Sequence, residues 1–172
     1  MWGAAPPALV PPPESYPEVD EIYETYEANA ILKARTLAAL TGRPALADDS
    51  GIEVEAMGWA PGVRSARTPS AEASWTERNA HILAAVDSGP GTRRARFVCV
   101  CALAAPGFDP VIGRGEVEGL VAQSPRGDNG FGYDPIFLYP PYGKTFAEVP
   151  PEMKHAVSHR GRAIRALREI LE

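Results

Sequence analysis

The chain has 172 residues, 45% hydrophobic and 23% charged, with a net charge of -5. That length suits one domain with a sizeable core, and the acidic balance disfavours a nucleic-acid binder working through a basic surface. No apolar run approaches the roughly 20 residues that span a bilayer, and Met1 to Ala5 lack the basic start and apolar core of a secretory leader. Neither a nucleic acid nor a membrane is therefore an expected partner.

Residues 1–17 carry six prolines, which excludes a helix or a central strand and reads as an extended arm, with Ala8-Leu9-Val10 at most a short edge strand. Residues 18–172 read as a single domain. An acidic loop from Glu18 to Glu24 leads into a predicted helix from Thr25 to Leu40. Thr25 is its N-cap, Glu27 lies in the first turn, and Gly42 followed by Pro44 supplies the stop. Ile31, Ala34, Ala38 and Thr41, with Leu37 beside them, form the expected apolar face. Lys33 falls off that stripe, where it could reach an anion or, as is commoner for a single exposed helix lysine, simply be solvated.

Pro44 to Ala47 reads as a short buried strand ending in two carboxylates, Asp48 and Asp49. Gly51 then turns the chain sharply, and Ile52 to Ala56 resume a period-two pattern. Adjacent carboxylates repel each other unless water or a cation screens them. A hard cation such as Mg²⁺ is one solution, and an Asx-type turn bonding the following amides is the other. The loop Met57 to Arg67 is rich in Gly, Pro, Trp and Arg. A second helix is predicted from Ser74 to Val86, with Trp75, Ile82, Leu83 and Val86 as core contacts and His81 as a structural residue.

Residues 95–104 and 111–121 read as paired strands, with Glu116 and Glu118 on a wet face and Val117 between them. Cys99 and Cys101 share a strand face, which suits neither a mutual bridge nor a zinc site, so they read as buried free thiols of a cytoplasmic protein. Farther on, Gly127, Gly130 and Gly132 release the backbone around Phe131, Tyr133 and Asp134. Such a loop either lays a ring on a planar ligand, where stacking on a base contributes about 1–3 kcal/mol, or is a tight turn with its aromatics inward. It is not a Rossmann or P-loop fingerprint. Ser158 caps a last helix with Ile164, Leu167, Ile170 and Leu171 as its apolar face. His159 and Arg160 then stand in its first turn, where the dipole disfavours cations, which points to a ligand with acceptor atoms.

Five stretches together resemble the inosine-triphosphate pyrophosphatase family: Glu27 to Arg35, Ala47 to Gly51, Ala60 to Arg67, Gly130 to Phe137 and Ser158 to Gly161. They occur in the family's order and cover about residues 18–172. The resemblance implies an α/β fold with a mixed central sheet flanked by helices and two lobes around a nucleotide cleft, assembled as a homodimer. It implies Mg²⁺-dependent hydrolysis of ITP, dITP and XTP to monophosphate and pyrophosphate. By position, Asp49 matches the catalytic, metal-binding aspartate and Ser50 a substrate contact. Glu21 matches a second acidic metal ligand, and Asp48 is carried as a further one. Lys33 and Lys154 match substrate-contacting lysines; Phe131, Gly132, Tyr133 and Asp134 match the base-binding loop; His159 and Arg160 match the pair reading the base.

One part of the family pattern has no counterpart. The short first strand, its phosphate loop and the following lysine and helix are not found ahead of Glu21, so the domain is expected to be truncated at its amino end. Two alternatives therefore stay open: a nucleotide-binding remnant with weak or no catalysis, and a related nucleotide pyrophosphatase with a different base preference.

Overall fold

A computed structural model describes residues 8–172; the first seven residues of the proline-rich arm lie outside the described residues. Residues 8–17 form neither strand nor helix, and Leu9 and Val10 are exposed. Helix α1 spans Tyr26–Thr41, with the Thr25 hydroxyl accepting from the Ala28 amide and Gly42 closing it in a left-handed conformation. Strand β1 runs Ala45–Val54, helix α2 Trp75–Ser88, β2 Arg94–Ala104 and β3 Val111–Val121. Short strands β4 (Phe137–Tyr139) and β5 (Lys144–Thr145) follow, then α3 (Pro151–Val157) and α4 (His159–Leu171).

The five strands lie in the order β1-β2-β3-β4-β5. All their pairings are antiparallel, so within the described residues the sheet contains no parallel pair. Helices cover both faces. On one, Tyr26, Ala30, Ala34 and Ala38 of α1 pack on Val98, Val100 and Ala102. On the other, Ala163 and Leu167 of α4 pack on Cys99 and Cys101. A third cluster joins Ile82 and Val86 of α2 to Ile52, Phe97, Val117, Phe137 and Phe146.

Several expectations need correction. The chain does not turn at Asp48-Asp49-Ser50-Gly51: β1 runs straight through, paired residue for residue with β2. Gly51 is there for clearance, since a Cβ on it would lie 2.2 Å from the Gly62 carbonyl oxygen and 2.6 Å from Ser65 Oγ. Of the expected α1 face, Ala34 and Ala38 are buried and Ile31 and Leu37 pack partly buried against the same cluster, while Tyr26 and Ala30 extend it beyond the expected residues. Trp75 is partly exposed, with its ring edge-on to Tyr133 at 5.4 Å. On α4, Leu167 and Ala163 are buried, whereas Ile164 and Ile170 face solvent.

The seat of α4 sets the position of the residues at its start. A Cβ on Gly115 would lie 2.2 Å from the His159 carbonyl oxygen, and one on Gly113 would lie 2.3 Å from that of Ala163. These two glycines of β3 let the helix lie directly on the strand backbone. His159 and Arg160 are thereby held over the same face as Asp48 and Cys99.

Candidate active site

Successive strand residues point to opposite faces, so Asp48 and Asp49 part company. Asp49 turns toward α1, where Lys33 Nζ donates to its Oδ1 at 3.1 Å and Asn29 Nδ2 to its Oδ2 at 3.2 Å. Asn29 and Lys33 are four apart on the helix and therefore on one face. The same ammonium donates to Glu21 Oε1 at 2.9 Å. Arg67 completes the group, with Nη1 donating to the Glu21 carbonyl at 3.1 Å and Nη2 lying 3.5 Å from its carboxylate. Lys33 thus reaches anions rather than standing solvated, as a lysine off the apolar stripe more often does. Asn29 and Arg67 belong to the cluster as well, and the four-residue spacing of Asn29 from Lys33 is the sequence signal that could have found the first.

The electrostatics of this cluster follow from burial and one shared cation. Burial raises the Asp49 carboxyl to about 6; the charge of Lys33 opposes that rise and the negative charge of Glu21 adds to it. At Glu21 burial acts in the same direction, but the hydrogen bond and charge of Lys33 outweigh it and hold that carboxyl below its ordinary value. Burial would lower Lys33, yet its two carboxylates keep the ammonium above its usual range. Glu21 therefore stays ionised, and Asp49 is poised to take a proton near neutral pH.

The other face of β1 carries a different set. Arg160 donates to Asp48 Oδ2 from Nη2 at 2.8 Å and Nε at 3.1 Å, and to Ser50 Oγ at 3.3 Å. Its guanidinium carbon lies 5.6 Å from the centre of the Phe131 ring, and Lys154 Nζ lies 4.6 Å from the same ring. Phe131 is 61% exposed, whereas Tyr133 and Asp134 are buried, so the loop presents one ring outward and turns the other in. Lys154 is itself buried and bonds Asp134 Oδ2, an oxygen that also accepts from the Phe131 amide at 2.8 Å. Gly132 is tied from behind, its carbonyl accepting from Asn79 Nδ2 at 3.2 Å.

His159 is buried against Phe97, ring centres 4.6 Å apart, and its Nδ1 has no hydrogen-bond partner among the described residues. Burial, with the charges of Arg160 and Lys154 added, pushes its pKa down to about 3, so the imidazole is neutral. The first turn of α4 therefore holds one cation rather than the two expected from the sequence. The cysteines are free and buried, with their sulfurs 3.9 Å apart.

The expected site residues thus fall into two groups. Glu21, Lys33 and Asp49 meet on the α1 face; Asp48, Ser50, Phe131, Asp134, Lys154, His159 and Arg160 gather on the α4 face. Lys154 sits with the second group, away from Lys33. Among the described residues no three His, Cys, Asp or Glu side chains come together as a metal cluster. Glu21 and Asp49 converge on one cation, Lys33 Nζ, and such a two-carboxylate set fits Mg²⁺, which takes one or two carboxylates and completes its shell with water and phosphate oxygens. Asp48 faces away from that set.

An antiparallel sheet between helices, with an acidic, lysine-bearing cluster on one side of β1 and a cation and aromatic cluster on the other, makes this an α/β protein. The chain belongs to the Ham1 family, which it matches over residues 7–170. It is 52% identical over 148 residues to a dITP/XTP pyrophosphatase of Syntrophobacter fumaroxidans, covering 86% of this chain and 63% of that protein. A dITP/XTP pyrophosphatase of Geobacter sulfurreducens is 48% identical over 91% of this chain and 79% of its own length. Among solved structures, a HAM1 protein of Coxiella burnetii superposes with a TM-score of 0.85 at 45% identity, covering 91% of this chain and 81% of that one.

Proposed function

We propose that this chain hydrolyses ITP, dITP and XTP to the monophosphate and pyrophosphate, with water attacking the α-phosphorus. The observation that carries the reading is the buried Asp49 carboxyl, raised to about 6 and held between Lys33 and Asn29. A carboxylate with that poise can orient a water and accept its proton at neutral pH. Lys33, shared with Glu21, supplies positive charge where a departing pyrophosphate would gather negative charge. Glu21 and Asp49 would hold Mg²⁺, which contributes Lewis-acid stabilisation of the phosphate oxygens.

On the opposite face, Phe131 offers an exposed ring to stack on the purine, and Asp134 with Lys154 fixes the loop that carries it. Arg160 makes no hydrogen bond from Nη1 among the described residues, which leaves that nitrogen for the O6 or N7 acceptors of a 6-oxopurine. The unpartnered His159 Nδ1 provides a second polar atom for the base. Adenine places an amino donor at position 6, so a donor facing it would go unpaired, and ATP is disfavoured. Ser50, bonded to Arg160 on the same face, would contact the substrate there. The two free thiols fit a reducing, cytoplasmic setting, and a homodimer is part of the same reading.

The test is pyrophosphate release from a panel of ITP, dITP, XTP, GTP and ATP with Mg²⁺. Selective release from the first three is expected. Preference for a pyrimidine or for ATP would replace the base assignment, and nucleotide binding without any release would favour a non-catalytic binding protein.

A further inference from the structure

The two neighbouring carboxylates have different occupations. Asp49 is engaged by α1, as described. Asp48 Oδ2 instead gathers donors from two other elements and from its own strand: Arg160 Nη2 at 2.8 Å and Nε at 3.1 Å from α4, Ser50 Oγ at 3.4 Å from β1, and Cys99 Sγ at 3.6 Å from β2. Two nitrogens of one guanidinium on a single oxygen fix both the position and the roll of that plane. Arg160 needs such a hold. It stands in the first turn of α4, where the helix dipole repels a cation, and an unheld arginine keeps its rotamer freedom.

We propose that Asp48 is a positioning residue for base recognition: it aims the Arg160 guanidinium beside the Phe131 ring and takes no part in holding the metal. This rests on the reading above, in which Arg160 contacts the purine. Asp48 and Asp49 then divide the substrate between them, one strand position serving the base and the next the phosphates. Because both ride on β1, the strand itself fixes the distance between base recognition and chemistry. Cys99, buried beneath, supplies an additional weak donor to the same oxygen.

A double-mutant cycle over Asp48→Asn and Arg160→Met tests this, read as KM and kcat for ITP and ATP and as the Mg²⁺ concentration giving half-maximal rate. Asp48→Asn alone is expected to raise the KM for ITP by roughly three- to tenfold, the cost of loosening one charge-assisted contact. The preference for ITP over ATP should fall with it, kcat should fall less than KM rises, and the Mg²⁺ requirement should not move. In the Arg160→Met background the same change should add no more than about 1.5-fold, because the group it aims is gone. An undiminished KM effect in that background would overturn the proposal, as would a raised Mg²⁺ requirement with KM for ITP intact. Should Asp48→Asn fail to fold, Asp48→Ser carries the same comparison. Asp49→Asn separates the two levels: full release by that variant would sink the reading of the whole site, whereas a dead Asp49→Asn with an additive cycle would sink only the role of Asp48.

Discussion

Asp49→Asn should stabilise the protein while removing its activity. Burial raises the Asp49 carboxyl from an ordinary 3.8 to about 6, so above that pH the folded state holds a charge that it would rather not carry. The rise corresponds to about 3 kcal/mol at most, at 1.36 kcal/mol for each tenfold change in proton affinity. Asparagine is neutral and nearly the same shape. Asn29 can still donate to its oxygen, and Lys33 keeps Glu21 at 2.9 Å, so the ammonium is not stranded. The attraction to Lys33 is already contained in that net rise, so the expected gain is up to about 3 kcal/mol, or up to roughly 6–12 °C in Tm for a domain of this size. Because the folded pKa lies above the unfolded one, Asp49 stabilises the fold only when protonated. The stability of the natural protein relative to the variant is lost as pH rises from about 4 through 6. Thermal melts of both proteins from pH 4 to 8 should therefore nearly coincide at the acid end, separate between pH 4 and 6, and stay apart by a constant margin above pH 6, with the variant higher. A variant that melts below the natural protein at pH 7.5 would refute the reasoning, since it would mean that the Asp49 charge is welcome where it sits.

The same carboxyl governs the rate. The kcat/KM for ITP should fall as pH drops below about 6, because protonated Asp49 cannot accept from water; a flat profile from pH 5 to 8 would remove it as the base. Gly51→Ala should cost more than about 2 kcal/mol in urea unfolding, because its Cβ would meet the Gly62 carbonyl at 2.2 Å with backbone on both sides. Arg78→Met should cost about 2–4 kcal/mol by the same measure. Its buried Nη2 donates to the carbonyls of Ala66, Ser70 and Ala71, which would be left without that donor. Loss of that clamp should also raise the KM for ITP, since α2 ties Gly132 through Asn79.

Local signals are the most legible in the sequence. Thr25, Gly42, Ser74 and Ser158 end or begin helices through contacts within a few residues, so their positions alone are informative. The antiparallel pair of β2 and β3 was equally legible, because Val117 lies buried between two more exposed glutamates. Gly51 was misread because a glycine that makes a turn and one that makes room look alike until the facing element is known. That element is the loop of Gly62 and Ser65, which meets β1 from more than ten residues away. The partners of Lys33 and Asp48 are illegible for a related reason. A side chain's partner across the fold is set by tertiary packing, and neither Glu21 with Lys33 nor Asp48 with Arg160 leaves a periodic mark. The grouping of Asp49, Phe131 and Arg160 into one site came from resemblance to a family, since no spacing along the chain joins them.

Single-turnover hydrolysis of ITP in heavy-oxygen water tests the central claim most directly. If Asp49 directs water to the α-phosphorus, the label appears in the monophosphate, the pyrophosphate is unlabelled, and Asp49→Asn forms neither product. Label in pyrophosphate or in free phosphate would contradict the account, because attack would then be at a phosphorus that this site does not address.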